Sequence, residues 1–398
     1  MLKLWLRIAL VFATFNTGAS FAAGTEKFYE NASSNNALLN LLNHSKKSID
    51  IEIYEMKDPS VHAAIRSALD RGLQVRIVQE PLTAAPSCRI FEVPSASDTA
   101  ECTESKALVK DVRAKGGTYV PFNLATLCGT PGTKCFEHGK MVISDKQFVF
   151  LSTGNFNSSN LCNKVGNPDK CNRDYSVLSW DAGTVSTLQQ IFELDIVGKT
   201  YDLSSILQNP AARKITVSPY SLAPLVQFIR SAKTMVQIEN QYLKDQRLND
   251  ALIEVAKRGV KVYVMVASVC SFGKPKPTDI AQWTNTFTAF DQAGIQSRAF
   301  TKSIKVGGIF GYLHAKALLI DSKVAWVGSV NGSVMSTSNN REFGIFLEDE
   351  TEALKLGAFL KSDFLEPGAE TWQQSVTCEK DFPSGLESRA DRDGLTVN

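Results

Sequence analysis

The feature that most constrains this chain is a short pattern that occurs twice. His138-Gly139-Lys140 is followed by Asp145 and then by Ser152-Thr153-Gly154-Asn155. His314-Ala315-Lys316 is followed by Asp321 and then by Gly328-Ser329-Val330-Asn331. Both copies read H-x-K-x4-D, an apolar run, and a hydroxyl residue two places before an asparagine. The chain has four histidines, His44, His62, His138 and His314, and two matches among four arise by chance with a frequency on the order of 10⁻⁵. One copy per half points to a fold of two similar halves, and 398 residues are enough for two domains of ordinary size.

The surroundings of the two copies repeat as well. Arg71-Gly72 and Arg258-Gly259 are 187 positions apart, as are Ile51-Glu52 and Ile238-Glu239, while the two motif histidines are 176 apart. Duplication followed by drift in loop length explains such offsets. In the first half, Leu38, Leu39, Leu41 and Leu42 mark a helix and residues 48–56 alternate like a strand. Asp58-Pro59 caps a helix that Gly72 closes. A strand over 73–79, a helix over 106–115 and a strand over 118–120 follow. The second half gives a helix over 225–233, a strand over 235–239 and a helix over 248–258 that ends at Gly259. A strand over 260–267, a helix over 279–293 and a strand ending near Phe300 complete it. Alternating strands and helices predict an α/β layered fold, with a linker over 198–219.

The motifs specify chemistry. Residues 312–321 have the apolar, β-prone character of a strand, on which alternate side chains share a face. His314 and Lys316 then point the same way, as do His138 and Lys140. Two imidazoles, two ammonium groups and the amides of Asn155 and Asn331 suit one phosphodiester. Cations and amides stabilise the charge that builds on the non-bridging oxygens; one imidazole attacks phosphorus and the other protonates the leaving oxygen. Asp145 and Asp321, at strand ends, read as structural turn residues. His44 and His62 read as ordinary helical residues.

These residues resemble the signature of the phospholipase D superfamily, and the resemblance covers most of the chain. It implies two similar halves, each a mixed sheet flanked by helices, packed with pseudo-twofold symmetry. The first half spans 23–200 and the second 201–398. It implies that both histidines meet in one site between the halves, that one becomes a phosphohistidine, and that no metal or other cofactor is needed. Asn172-Arg173-Asp174-Tyr175 corresponds to Asn340-Arg341-Glu342-Phe343, and in the family an acid here orients the catalytic imidazole. Asp174 and Glu342 take that role, His138 that of nucleophile and His314 that of acid and base. Thr153 and Ser329 are assigned to substrate binding.

Residues 1–22 read as a secretion signal, with Lys3 and Arg7, an apolar stretch and Ser20-Phe21-Ala22 as a cleavage site. Without them the chain carries 41 basic and 41 acidic residues, which argues against broad nucleic-acid binding. Eight cysteines fit an exported, secreted or periplasmic protein. They allow 105 pairings. Proximity in sequence favours Cys88 with Cys102, Cys128 with Cys135 and Cys162 with Cys171, leaving Cys270 with Cys378. The expected activity is that of a secreted phosphodiesterase acting on phospholipids, in transient contact with a membrane surface and sufficient as a monomer. The segment Gly307-Gly308-Ile309-Phe310-Gly311-Tyr312 offers an apolar mouth. The same residues would serve a phosphatidyltransferase of the cardiolipin synthase type, or a nuclease with Lys134, Lys302 and Lys305 bordering a groove. A binding module without activity is disfavoured, because both motifs are intact.

Overall fold

The computed structural model describes residues 24–83, 87–129, 133–163 and 170–381; the expected secretion signal lies outside them. Two seven-stranded sheets organise the molecule. In spatial order the first holds Glu26–Glu30, Tyr175–Ser179, Phe148–Ser152, Lys140–Ser144, Ser48–Ile53, Gln74–Gln79 and Thr118–Pro121. The second holds Ile215–Val217, Phe343–Leu347, Val324–Gly328, Lys316–Ile320, Met235–Asn240, Lys261–Ala267 and Gln296–Phe300. The orders are equivalent strand for strand. In each sheet the last three strands run parallel and the rest antiparallel. Each half is therefore a mixed sheet with flanking helices, and the two are similar.

The motif strands are buried on both faces, as strands covered on each side must be. Met141 and Ile143 join a core shared by the two halves, while Val142 joins a core belonging to the first half. Ala317 and Leu319 face the same shared core, with Leu318 and Ile320 turned to the second half's own. The helices Ala182–Asp195 and Glu350–Leu365 contribute Leu188, Ile191, Phe192, Leu356 and Leu360 to the shared core.

Local chemistry explains the helix boundaries. The Asp58 carboxylate accepts from the backbone N–H groups of Ser60 and Val61 ahead of the helix Pro59–Asp70, the usual N-cap role. Gly72 closes that helix with φ +80°, a conformation that suits glycine. The helix expected over 106–115 in fact spans Ala100–Ala114. Its polar first turn hides the periodicity, but Thr99 caps it and Cys102 pins it through a disulfide to Cys88.

Two other expectations need correction. The strand read over 312–321 is confined to Lys316–Ile320; the four residues before it leave the sheet. The segment 198–219 is not a plain linker. It carries the helix Leu203–Leu207, and Ile215–Val217 pairs with the strand Phe343–Leu347 as an edge of the second sheet. Disulfides join Cys88–Cys102, Cys128–Cys135, Cys162–Cys171 and Cys270–Cys378, the three pairs favoured by proximity and the pair left over. No described helix is long and apolar enough to cross a membrane.

Candidate active site

Each motif histidine sits just ahead of its strand, held by the other half. The His138 N–H donates to the Arg341 carbonyl (2.8 Å), and the Arg341 N–H to the Phe136 carbonyl (2.9 Å). Reciprocally, the His314 N–H donates to the Arg173 carbonyl (3.0 Å) and the Arg173 N–H to the Tyr312 carbonyl (2.9 Å). These two short bridges interchange under exchange of the halves, as a twofold relation demands.

The bridges decide which carboxylate meets which ring. Glu342, next to Arg341, places Oε2 2.8 Å from His138 Nδ1. Asp174, next to Arg173, places Oδ1 2.9 Å from His314 Nδ1. Each half thus supplies the orienting acid for the other half's imidazole. The acids are themselves fixed. Asn340 Nδ2 donates to Glu342 Oε1 (3.0 Å), Asn160 Nδ2 to Asp174 Oδ2 (2.8 Å) and Thr153 Oγ1 to Asp174 Oδ1 (2.6 Å). A carboxylate on Nδ1 puts the proton there and leaves Nε2 as the reactive nitrogen.

The ammonium groups complete the cluster. Lys140 Nζ donates to the His138 carbonyl (2.5 Å). Lys316 Nζ lies 3.2 Å from both His314 ring nitrogens and donates to the Thr153 carbonyl at 3.3 Å. Buried amide oxygens of Asn155 and Asn331 have no hydrogen-bond partner among the described residues.

Burial and confinement of like charges set the protonation. Burial, reinforced by Lys140 and Lys316 and opposed by Glu342, pulls His138 down to about 4. Burial and the same two lysines bring His314 to about 4 against the pull of Asp174. Burial lowers Lys140 to about 8, with Glu342 and Glu137 opposing. Burial and Lys140 lower Lys316 to about 7, with Asp174 opposing. That each imidazole feels both ammonium groups means that the two motifs share one electrostatic site. Burial pushes Asp174 and Glu342 up, yet their imidazole partners, the lysines and the amide donors hold both below the ordinary carboxylate range. With both imidazoles neutral, the two ammonium groups are matched by the two carboxylates, so the buried cluster is close to charge balance.

A family model described as cardiolipin synthase, PLD-like domain, matches residues 38–196 and 225–364. The chain belongs to the phospholipase D superfamily. Among relatives of this phospholipase D-like chain, the major cardiolipin synthase ClsA of Bacillus subtilis (strain 168) is 28% identical over 152 residues, 37% of this chain and 29% of that protein. Cardiolipin synthase 1 of Staphylococcus epidermidis is 28% identical over 138 residues, 34% of this chain and 25% of that protein. The chain therefore spans less than a third of the curated relatives it matches. The crystal structure of phosphatidylserine synthase from Haemophilus influenzae Rd KW20 shares the fold, with a TM-score of 0.58 and 13% identity over 87% of each chain. So does polyphosphate kinase from Porphyromonas gingivalis, with a TM-score of 0.56 and 15% identity over 88% of this chain and 54% of that one.

Within this phospholipase D-like site, two assignments change. Thr153 and Ser329, expected to touch substrate, are fully buried and bonded within the protein. Besides Asp174, Thr153 Oγ1 accepts from the Tyr175 N–H; Ser329 Oγ accepts from the Phe343 N–H and donates to the Phe343 carbonyl. Both hydroxyls tie the motif strand to the segment bearing the orienting acid, which leaves them nothing to offer a substrate. Asp145 and Asp321 lie away from the cluster. Asp145 accepts from the backbone N–H groups of Lys46, Lys47 and Ser48, and Asp321 from those of Lys233, Thr234 and Met235. His44 is exposed, and the buried His62 ring bonds the Met56 carbonyl.

Sequence reasoning overlooked Asn160, which has no counterpart in the second copy of the motif. It also passed over Arg173 and Arg341, although both stood inside the repeated Asn-Arg-acid segment. Arg341 reaches Asp195 of the first half (Nε to Oδ2, 2.9 Å) and feels Glu52. Arg173 reaches Asp363 of the second half (Nε to Oδ2, 2.6 Å) and feels Glu239. The Ile51-Glu52 and Ile238-Glu239 offset was their sequence signal. Tyr54 and Tyr312 flank the rings, with centroids 5.0 Å from His138 and 5.9 Å from His314.

Proposed function

We propose that this protein is an exported phosphodiesterase that hydrolyses phospholipid headgroup esters through a phosphohistidine. His138 Nε2 attacks phosphorus, forming the N–P bond as the P–O bond to the leaving alcohol breaks. His314 acts in its imidazolium form, with Nδ1–H held by Asp174 and the anionic diester offsetting the added charge, and delivers the Nε2 proton to that alcohol. It then takes a proton from water, whose oxygen attacks phosphorus and breaks the N–P bond. Glu342 and Asp174 hold the rings and stabilise imidazolium as it forms. Lys140, Lys316, Asn155 and Asn331 surround the non-bridging oxygens. The observation that carries this reading is the crossed arrangement, in which two imidazole–carboxylate pairs enclose two confined ammonium groups. Export rests on residues 1–22 and is consistent with four disulfides.

A second reading is transfer of the phosphatidyl group to a lipid alcohol in place of water. It is favoured by the family model's description and by the two named relatives. The experiment that tests both uses phosphatidylcholine and phosphatidylethanolamine vesicles, single-stranded DNA, RNA and bis(p-nitrophenyl) phosphate, all with EDTA present. Half the lipid assays receive phosphatidylglycerol as acceptor. Headgroup release with phosphatidic acid as product supports hydrolysis, and a diphosphatidyl product supports transfer. Full activity of His138→Ala on every diester would end the phosphohistidine mechanism.

A further inference from the structure

Beside His314 the surface changes character. A two-residue hairpin pairs Lys305–Val306 with Ile309–Phe310 and turns at Gly307 and Gly308, both with positive φ. Phe310 at its end is 56% exposed. Its carbonyl accepts from the Cys171 N–H at 3.0 Å, which fixes the hairpin to the loop closed by Cys162–Cys171 in the other half. A second loop is pinned by Cys270–Cys378 and by Ser268 Oγ donating to Asp381 at 2.5 Å. It presents Phe272, 48% exposed. From there a row of rings leads inward. Phe272 stands edge-on to Tyr312 at 5.2 Å, and Tyr312 edge-on to His314 at 5.9 Å.

The two segments that carry these rings are basic. Residues 270–276 and 300–312 include Lys274, Lys276, Lys302 and Lys305 and no acid, in a chain whose charges otherwise nearly cancel. Nearby Asp279 is committed to the Lys276 N–H at the start of the helix Pro277–Gln292. Asp381 is turned inward to Ser268 and the Lys302 backbone. Large exposed apolar side chains carried on basic segments fit a layer that is apolar inside and anionic at its face.

We propose that this rim, with Phe272 and Phe310 as its apolar tips, is where the protein docks on an anionic phospholipid surface, delivering a headgroup ester along the Tyr312 side to His314. The proposal rests on the phosphodiesterase reading above and names the surface from which that site is fed. Single-stranded nucleic acid is the competing partner, since bases also stack on aromatic rings beside cations. The rim favours lipid, because the Lys305 ammonium already lies over the Phe310 ring, 5.0 Å from its centre. Phenylalanine also has no polar group to keep it at an aqueous groove.

The test uses the full chain with vesicles of phosphatidylcholine alone or with phosphatidylglycerol at 7:3, a single-stranded oligonucleotide, and bis(p-nitrophenyl) phosphate as a soluble diester. Two variants are compared, Phe272→Ser with Phe310→Ser, and Lys274→Glu with Lys276→Glu and Lys305→Glu. The phenylalanine pair should weaken binding to anionic vesicles at least tenfold, and the charge reversal should abolish the preference for anionic over neutral vesicles. Cleavage of the soluble diester should stay within twofold of wild type in both. Wild-type protein that ignores the vesicles, or variants that bind them as well as wild type, would overturn the proposal. So would variants that lose only oligonucleotide binding, or that lose the soluble reaction. A wild-type chain inert toward the soluble diester would instead overturn the phosphodiesterase reading, whatever the vesicles show.

Discussion

At the scale of residues, the orienting acids and the confined lysines carry the sharpest consequences. Glu342 fixes the tautomer of His138 through one 2.8 Å contact. Replacing it by Gln keeps the volume and loses the charge, so kcat should fall about 10²–10⁴-fold with little change in KM; Asp174→Asn should behave alike. Rapid-quench measurement of the phosphoenzyme should show slower formation in Glu342→Gln. The pH dependence of kcat/KM reports the free enzyme. Both histidines are pulled down to about 4, and His138 must be neutral to attack while His314 must be charged to donate. The competent singly protonated pair, and with it kcat/KM, should therefore rise as pH climbs toward about 4 and decline above it. Lysines lowered to about 7 and about 8 lose the charge that holds the phosphate as pH climbs past them, so activity should fall more steeply there. A decline that does not steepen from pH 5 to 10 would show that the lysine charges are not needed.

At the scale of elements, the motif aspartates and the displaced histidines matter most. Asp145 and Asp321 both have positive φ and collect backbone N–H groups at the start of a neighbouring strand. That concentration of donors overcomes burial and draws Asp321 down to about 2. Asp321→Ala leaves those donors without their acceptor and should cost about 1–3 kcal/mol of stability by denaturant titration, with kcat near wild type. A large loss of kcat in folded Asp321→Ala protein would return this residue to the chemistry. The turn role was legible because an aspartate after an apolar strand has a local use. The histidines' departure from their strands was not, because residues 312–315 are as apolar and β-prone as the strand that follows. Only the competing backbone bridge to Arg173 pulls them out of the sheet.

At the scale of the whole molecule, the two halves are interlocked. Arg341 is buried against Asp195 of the first half and Arg173 against Asp363 of the second. Each is adjacent to an orienting acid and bridged to a motif histidine. Arg341→Met removes a cation from among Asp195, Glu52 and Tyr201, and should destabilise the protein by about 3–5 kcal/mol. Because one chain contains both imidazoles and both acids, mixing His138→Ala with His314→Ala protein should restore no activity. Recovery of activity on mixing would mean that the site is built between two chains.

Sequence alone determined the duplicated α/β plan, the helix caps at Asp58 and Gly72, the three short-range cysteine pairs and the set of imidazoles, ammonium groups and acids. Each of these is written in local spacing, where period, cap chemistry and short loops leave few alternatives. Tertiary structure alone decided that Glu342 serves His138 while Asp174 serves His314, that Thr153 and Ser329 turn inward, and that Asn160 and two buried arginines support the site. The acid–imidazole pairs and the arginine contacts depend on how one half packs against the other, while Thr153, Ser329 and Asn160 depend on how each motif strand packs on the acid-bearing segment of its own half. Contacts between halves join residues 140 or more positions apart, and those within a half join irregular segments, so neither leaves a periodic trace in the sequence.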